Sequence, residues 1–228
     1  VANAAGCNAG GVMQYVFSAL YGVTARKGIK IDGCNFGVIG AGHVGQKVAD
    51  MAEYLGFNVL RCDPPRARAE GPEGFCSLEY LVENSQVITM HVPLDDMTRG
   101  MGNADLFTMM QPGAIFINSA RGEVIDEEAL IAASPKLGAI VIDTWCNEPD
   151  VNERLIDAAD IATPHIAGYS YQGKQNGTTM AVRALAAHFG LDSLAGFVAD
   201  DSHPDHDPVL LEKKKKNQGE ITAVFQYN

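Results

Sequence analysis

The chain has 228 residues, of which 46% are hydrophobic and 20% are charged, and its formal net charge is −11. This composition is typical of a folded protein and excludes the disordered and low-complexity classes. The acidic excess disfavours binding to nucleic acid or to an anionic membrane surface, and no apolar run reaches the roughly 18 residues that a membrane helix needs.

The cysteines bear on the cellular compartment. There are five of them, an odd number, and none forms a C-x-x-C pair, so we expect reduced thiols in a cytoplasmic protein. The sequence starts at Val1, and no basic segment precedes an apolar one, so we expect no signal peptide.

From its N-terminal end, the sequence predicts an apolar helix over 8–20, followed by short strands that alternate with amphipathic helices. The strands are expected at 36–39, 57–62, 87–92, 114–118, 139–142 and 161–163. Several are apolar almost throughout, as strands must be when helices cover both faces of a sheet. In the helix after Gly42, apolar residues recur on one helical face, and Gly56 ends it. Ser77 and Asp126 are the predicted N-caps of two later helices.

The alternation of strands and helices predicts an α/β fold with a doubly wound parallel sheet of the Rossmann type. After the sheet we expect a helix over 173–189, then acidic loops, a lysine run over 213–216 and a final strand at 221–225. A boundary near Tyr169 divides the chain into two parts. Residues 1–168 would be a linker helix and the nucleotide-binding domain, and residues 169–228 part of a substrate or dimerisation domain.

A glycine-rich loop, G-A-G-H-V-G at 40–45, joins the first predicted strand to its helix. Gly40 permits a tight turn, Gly42 lets the backbone approach a pyrophosphate, and Gly45 allows the helix to pack closely on the strand. Asp63 ends the second strand 18 residues after Gly45. A carboxylate at this place binds ribose hydroxyls and repels a 2′-phosphate, so the expected cofactor is NAD.

Two points leave the cofactor prediction open. Arg61, Arg66 and Arg68 lie close to Asp63 in the sequence and could weaken the repulsion of a 2′-phosphate. A methyltransferase with a similar loop is an alternative to a dinucleotide-binding protein.

Three ionisable residues follow later strands. Arg121 stands in N-S-A-R-G, Glu148 in D-T-W-C-N-E-P and His165 in T-P-H-I-A-G. Each alone could be an ordinary surface or strand-end residue, but the carboxyl ends of parallel strands meet at one edge of the sheet, where ligands bind. A histidine, a carboxylate that orients it and an arginine that binds a substrate carboxylate form a set suited to oxidising a 2-hydroxy acid.

These motifs, with Asp63 and H-V-P-L at 91–94, occur in the order and spacing of a known family. Together they resemble the D-isomer-specific 2-hydroxyacid dehydrogenases over about residues 8–183. Within that family, G-C-N-A at 6–9, Y-V-F-S-A-L at 15–20 and C-D-P-P-R at 62–66 are most similar to the erythronate-4-phosphate dehydrogenases, which serve pyridoxal phosphate biosynthesis.

The resemblance implies roles for individual residues. Arg121 would bind the substrate carboxylate, His165 would take the hydroxyl proton, and Glu148 would orient the imidazole and favour its protonated form. Tyr169 would reach the substrate. The residues that would bind NAD are Gly40, Gly42, His43, Val44, Gly45, Asp63, Val92, Pro93, Ala120, Asp143 and Gly168.

The resemblance also implies a substrate and a partner. The substrate would be a phosphorylated hydroxy acid, 4-phospho-D-erythronate, and the protein a homodimer. The alternatives are another substrate of the family, such as phosphoglycerate, glycerate, glyoxylate or hydroxypyruvate, or a non-catalytic module that senses NAD. Only about 35 residues precede the first predicted strand, so we expect the N-terminal part of the substrate domain to be missing from this sequence.

No metal site is predicted. The acidic, histidine-containing run at 200–207 has suitable ligand atoms, but Pro204 and Pro208 prevent a helix that could present them on one face. A solvated acidic loop is the simpler interpretation.

Overall fold

A computed structural model describes residues 3–200 and 217–226 of the chain. Its centre is a sheet of six parallel strands in the order β2-β1-β3-β4-β5-β6. The strands are β1 Asn35–Ile39, β2 Asn58–Cys62, β3 Val87–Met90, β4 Ile115–Asn118, β5 Ala139–Ile142 and β6 Ile161–Ala162. The predicted doubly wound parallel sheet is therefore confirmed. The third strand is shorter than expected and ends at Met90.

Nine α-helices lie in the described residues. They are α1 Ala9–Lys27, α2 His43–Tyr54, α3 Pro64–Glu70, α4 Leu78–Asn84, α5 Ala104–Met109, α6 Glu127–Ala133, α7 Glu153–Ala158, α8 Tyr171–Phe189 and α9 Gln218–Gln226. Short 3-10 turns occupy Gly122–Val124, Ser134–Lys136 and Asp192–Leu194. None of these helices is long and apolar enough to span a membrane. Ser77 and Asp126 cap α4 and α6 as predicted, each accepting a backbone N–H in the first turn.

Alternate residues of each strand enter two separate cores, which explains why the strands are apolar on both sides. One core contains Phe36, Val38 and Val141 with side chains from α1, α2 and α9. The other contains Ile88 and Phe116 with side chains from α4, α5, α6 and α7. The sheet is thus the middle of three layers, and its carboxyl edge stays open for a ligand.

The predicted strand at 221–225 is wrong, because these residues lie in α9. Ile221 and Phe225, four residues apart, share one helical face, and that face packs on α1. The Phe225 ring stacks on Tyr21 at 5.5 Å and on Phe17 at 5.9 Å between centroids. Gln218 also donates to the carbonyl of Ile29 at 2.8 Å, beyond the end of α1. The short apolar run therefore forms one more helix of the outer layer.

Two other predictions from the C-terminal region cannot be compared with the structure. Apart from Asp200, the acidic run at 200–207 lies outside the described residues, and so does the lysine run at 213–216. Within the described ranges, no cluster of three His, Cys, Asp or Glu residues could hold a metal ion.

Candidate active site

The glycine loop has the geometry of a dinucleotide turn. Gly40 has φ 86°, which favours glycine, and a Cβ there would lie 2.8 Å from the backbone nitrogen of Val92. A Cβ at Gly45 would strike the carbonyl oxygen of Gly40, whereas a Cβ at Gly42 would meet no atom within 4 Å. The backbone at Gly42 is therefore open. The first turn of α2 has no side-chain cap, so its N–H groups face this opening.

Asp63 braces this loop from the end of β2. One carboxylate oxygen accepts the N–H of Ala41 at 2.8 Å, and the other accepts the N–H of Arg66 at 3.0 Å, which caps α3. The carboxylate has further lone pairs, so it can still accept a ribose hydroxyl. Its direct contacts in the structure are with the protein.

Two of the three arginines beside Asp63, Arg61 and Arg66, are bound to acidic or loop atoms. Arg61 forms an ion pair with Glu53 at 2.6 Å. Arg66 forms one with Glu70 at 2.7 Å and donates to the carbonyl of Ala41 at 2.6 Å. These two guanidinium groups therefore hold the loop and its surroundings rather than pointing freely toward a phosphate.

A cavity of about 580 Å³ opens beside the loop at the carboxyl edge of the sheet. It brings together ten of the residues predicted for the site, namely His43, Val44, Val92, Pro93, Ala120, Arg121, Asp143, His165, Gly168 and Tyr169. Gly40, Gly42, Gly45, Asp63 and Glu148 do not line it directly. Glu148 is paired with His165, and the three glycines and Asp63 belong to the loop beside the cavity.

His165 and Glu148 form a close pair. His165 Nδ1 lies 2.8 Å from Glu148 Oε2 and 3.1 Å from Oε1. Because an ionised carboxylate only accepts hydrogen bonds, Nδ1 carries a proton and Nε2 is the nitrogen that can receive one. The two side chains are 42% and 36% exposed, so the pair is open to solvent on one side.

The environment of Glu148 favours its ionised form. Burial alone would raise its pKa, but the hydrogen bond from His165 and the N–H of Trp145, at 2.9 Å, outweigh burial. The positive charge of Arg121 acts in the same direction, and the pKa of Glu148 lies below its ordinary value. Glu148 is therefore suited to orienting an imidazole and stabilising its charge.

Arg121 is placed by a turn that Asn118 builds. The Asn118 amide donates to the carbonyl of Arg121 at 2.9 Å and accepts the N–H of Ala120 at 3.1 Å. The guanidinium itself is anchored by one bond to the carbonyl of Ala120 at 2.6 Å. It has further donors, which can bind a carboxylate in the cavity.

Several cavity residues were missed from the sequence. His91 and Ser119 line the cavity together with a segment before α1 that includes Gly6 and Asn8. The Ser119 hydroxyl is buried without a hydrogen-bond partner in the described structure. His91 and Ser119 both lie within motifs already noted, so their positions could have identified them as cavity residues. Gly6 and Asn8 also lie in a motif already noted, G-C-N-A at 6–9, but only the packing of α1 shows that this segment reaches the cavity.

A larger cavity of about 930 Å³ lies between α1, α2, α8 and α9. It contains none of the residues predicted for the active site, and its wall includes Met13, Met51 and Phe225. The smaller cavity is therefore the candidate active site, because Arg121 and His165 line it and Glu148 is paired with His165.

The sequence and the fold both match known proteins. The family model described as "D-isomer specific 2-hydroxyacid dehydrogenase, NAD binding domain" matches residues 17–167. Relatives include the erythronate-4-phosphate dehydrogenase of Chromohalobacter salexigens, 40% identical over 83% of this chain and 51% of the relative. That of Bacteroides fragilis is 41% identical over 84% of this chain and 57% of the relative. The chain thus spans about half the length of these curated relatives.

Solved structures give the same result. D-lactate dehydrogenase from Aquifex aeolicus, complexed with NAD and lactic acid, is similar over 87% of this chain and 71% of that chain, with a TM-score of 0.64 and 26% identity. D-mandelate dehydrogenase from Rhodotorula graminis is similar over 81% of this chain and 64% of that chain, with a TM-score of 0.68 and 25% identity. The chain belongs to the D-isomer specific 2-hydroxyacid dehydrogenase family, and residues 17–167 are its NAD binding domain.

Proposed function

We propose that the protein oxidises a phosphorylated 2-hydroxy acid with NAD, and that this substrate is 4-phospho-D-erythronate, converted to its 2-oxo acid in pyridoxal phosphate biosynthesis. The observation that carries the proposal is the 2.8 Å pair of His165 and Glu148, which shares one cavity edge with Arg121. The erythronate-4-phosphate dehydrogenases that are 40% and 41% identical support the choice of substrate.

The residues of the nucleotide end fit NAD. The open backbone at Gly42 and the uncapped first turn of α2 suit a pyrophosphate, since both offer N–H groups without a side chain in front of them. Asp63 suits a ribose diol and disfavours a 2′-phosphate. The buried Ser119 hydroxyl, which has no partner in the described structure, suits a further polar atom of the cofactor.

The residues of the other end perform the proton transfer. Arg121 binds the substrate carboxylate and turns the C2 hydroxyl toward His165. Nε2 of His165 takes the hydroxyl proton while the C2–H bond breaks and the C2 carbonyl forms. When bound, NAD supplies the acceptor for the hydride that leaves C2. Glu148, whose pKa is held below its ordinary value, stabilises the imidazolium that results.

A cation at the rim supports a phosphorylated substrate. Lys174 Nζ lies 3.7 Å from the ring centre of Tyr169, and this tyrosine lines the cavity and is 73% exposed. The ammonium group of Lys174 lowers the pKa of Tyr169. The ammonium of Lys174 and the hydroxyl of Tyr169 can each donate a hydrogen bond to a phosphate.

The domain division, the assembly and the compartment are part of the same proposal. Residues 1–168 form the linker helix and the nucleotide-binding domain, and residues 169–228 belong to a substrate or dimerisation domain. The protein works as a cytoplasmic homodimer.

The experiment follows NADH by absorbance: its formation with the hydroxy acids 4-phospho-D-erythronate, phosphoglycerate and glycerate, and its consumption with the oxo acids glyoxylate and hydroxypyruvate. We expect turnover with 4-phospho-D-erythronate, and we expect His165→Ala to lower kcat by at least about a thousandfold while NAD binds as before. His188→Ala is the matched control, because His188 is an exposed histidine far along α8.

Each other outcome has a meaning. Turnover of a different acid would change the substrate and keep the mechanism. NAD binding without turnover of any acid would favour a sensing module. Unchanged turnover in His165→Ala would remove His165 from the chemistry.

A further inference from the structure

Thr163 connects two distant elements beside the catalytic histidine. It follows β6 directly, two residues before His165, and its hydroxyl donates to Asp143 Oδ1 at 2.6 Å. The hydroxyl of Tyr15, on α1, lies 2.6 Å from the same Thr163 oxygen. Because the single Thr163 proton goes to the carboxylate, the Tyr15 hydroxyl must be the donor to Thr163. The hydrogen bonds therefore run from α1 through Thr163 to Asp143.

Asp143 in turn holds the backbone around His165. Its carboxylate is fully buried and accepts the N–H groups of Ile166 and Ala167, each at 2.8 Å. Its carbonyl accepts the N–H of His165 at 2.7 Å. His165 has φ 55°, a left-handed conformation that is uncommon for a residue with a side chain and persists only when the surroundings hold it. The contacts of Asp143 supply that restraint.

The other half of the catalytic pair is tied to Thr163 as well. The Trp145 indole N–H donates to the Thr163 carbonyl at 2.9 Å, and the backbone N–H of Trp145 donates to Glu148 Oε1 at 2.9 Å. Both His165 and Glu148 are thus positioned relative to Thr163. A change in the position of Thr163 would alter the alignment of the pair.

We infer that Tyr15 is a positioning residue for His165, acting from α1 through Thr163 and Asp143. The inference rests on the proposed function, because it assumes that His165 takes the substrate proton. It adds a residue that touches neither the substrate nor the cofactor, 148 positions away from Thr163 in the sequence. Burial raises the pKa of Tyr15 to about 12, so its hydroxyl keeps the proton that it donates at any neutral pH.

The first experiment compares Tyr15→Phe with Tyr21→Phe. Both variants remove one hydroxyl from α1, but the Tyr21 ring stacks on Phe225, away from the catalytic loop. For Tyr15→Phe we expect kcat to fall about fivefold, the loss of one hydrogen bond, with the KM for NAD unchanged. The amides of Ile166 and Ala167, followed by NMR, should exchange with solvent about fivefold faster. Tyr21→Phe should change neither quantity.

The second experiment tests whether Tyr15 acts through Thr163. Thr163→Val removes the hydroxyl and should lower kcat at least as much as Tyr15→Phe, whereas Thr163→Ser keeps the hydroxyl and should restore most of kcat. In the Thr163→Val background, adding Tyr15→Phe should have no further effect.

Two results would overturn the inference. One is a Tyr15→Phe variant with unchanged kcat and unchanged exchange of the two amides. The other is an equal effect of Tyr15→Phe with and without the Thr163 hydroxyl. If the unmodified protein oxidises no hydroxy acid, the proposed function fails, and the exchange of the Ile166 and Ala167 amides still decides whether Tyr15 holds this loop.

Discussion

Helices α1 and α8 have the same length, 19 residues, but they are packed very differently. Nine residues of α1 are buried, whereas α8 buries only Gly173 and Ala186. Along α8, Leu185 and Phe189 are 51% and 65% exposed. Because burial of apolar side chains is the main source of stability, we expect α1 to be held firmly against the sheet. Helix α8 begins two residues after Tyr169, which lines the active-site cavity, and it presents apolar side chains outward.

The contacts of the two helices with the active site differ in the same way. The hydroxyl of Tyr15, on α1, lies 2.6 Å from the hydroxyl of Thr163, which stands two residues before His165. Helix α8 begins at the cavity rim, where Ser170 caps it, and it is otherwise held by polar bonds such as that from Arg183 to the carbonyl of Phe197 at 2.7 Å. Helix α1 therefore bonds directly to the segment that carries His165, whereas α8 only begins near the cavity, after Tyr169.

We expect the largest difference in the free energy of unfolding between variants of one phenylalanine from each helix. Phe17 of α1 is fully buried and stacks on Phe36 at 5.7 Å, so Phe17→Ala should lower the free energy of unfolding by about 3–5 kcal/mol. Phe189→Ala on α8 should change it by less than about 0.5 kcal/mol. Urea unfolding followed by circular dichroism measures both. Similar losses from the two variants would show that α8 is packed as firmly as α1 in solution.

The next effect concerns His91, which lines the active-site cavity. Burial lowers the pKa of His91 from 6.5 to about 3, and its Nε2 lies 3.0 Å from the Thr89 hydroxyl. Below pH 6.5 the unfolded chain protonates this histidine and the folded chain does not, so stability falls as the pH falls. Between about pH 7 and pH 4.5 the contribution amounts to about 2–3 kcal/mol.

His91→Gln should remove this contribution and keep a hydrogen-bonding side chain. We expect the free energy of unfolding of the variant to fall about 2–3 kcal/mol less than that of the unmodified protein over the same pH interval. His188→Gln, on the exposed part of α8, is the control and should leave the pH dependence as it is. Parallel curves for the protein and for His91→Gln would mean that His91 is accessible to protons in the folded state.

The smallest effect compares two helix caps. Ser170 accepts the N–H of Gly173 at 3.0 Å in α8, and Asp126 accepts that of Ala129 at 3.1 Å in α6, a helix that packs into a core. Replacing either cap residue with alanine should destabilise the first turn of its helix by about 1 kcal/mol. For Asp126→Ala we expect this loss to lower the free energy of global unfolding. For Ser170→Ala we expect about fivefold faster amide exchange in the first turn of α8 and an unchanged global stability. An equal loss of global stability in both variants would contradict the comparison.

Much of the fold and of the site was predictable from local patterns. The strands around 36–39 and 139–142 and the caps at Ser77 and Asp126 were predicted because apolar period and capping chemistry depend on neighbouring residues. The glycine loop was predictable for the same reason, since its geometry is set by the missing Cβ atoms of Gly40 and Gly45. The last strand was predicted wrongly because a short apolar run such as 221–225 has no period that separates a strand from a helix.

The sequence by itself determined the parallel sheet and the glycine loop, and it selected Arg121, Glu148 and His165 as candidate site residues. Each of these results follows from residue types at fixed local spacings. Only the tertiary structure decided that Tyr15, Thr163 and Asp143 form one chain of hydrogen bonds, that Asp63 is bonded to its own loop, and that α8 is exposed. The physical reason is that these features depend on contacts between segments far apart in the chain, whose distances and burial arise only when the layers pack.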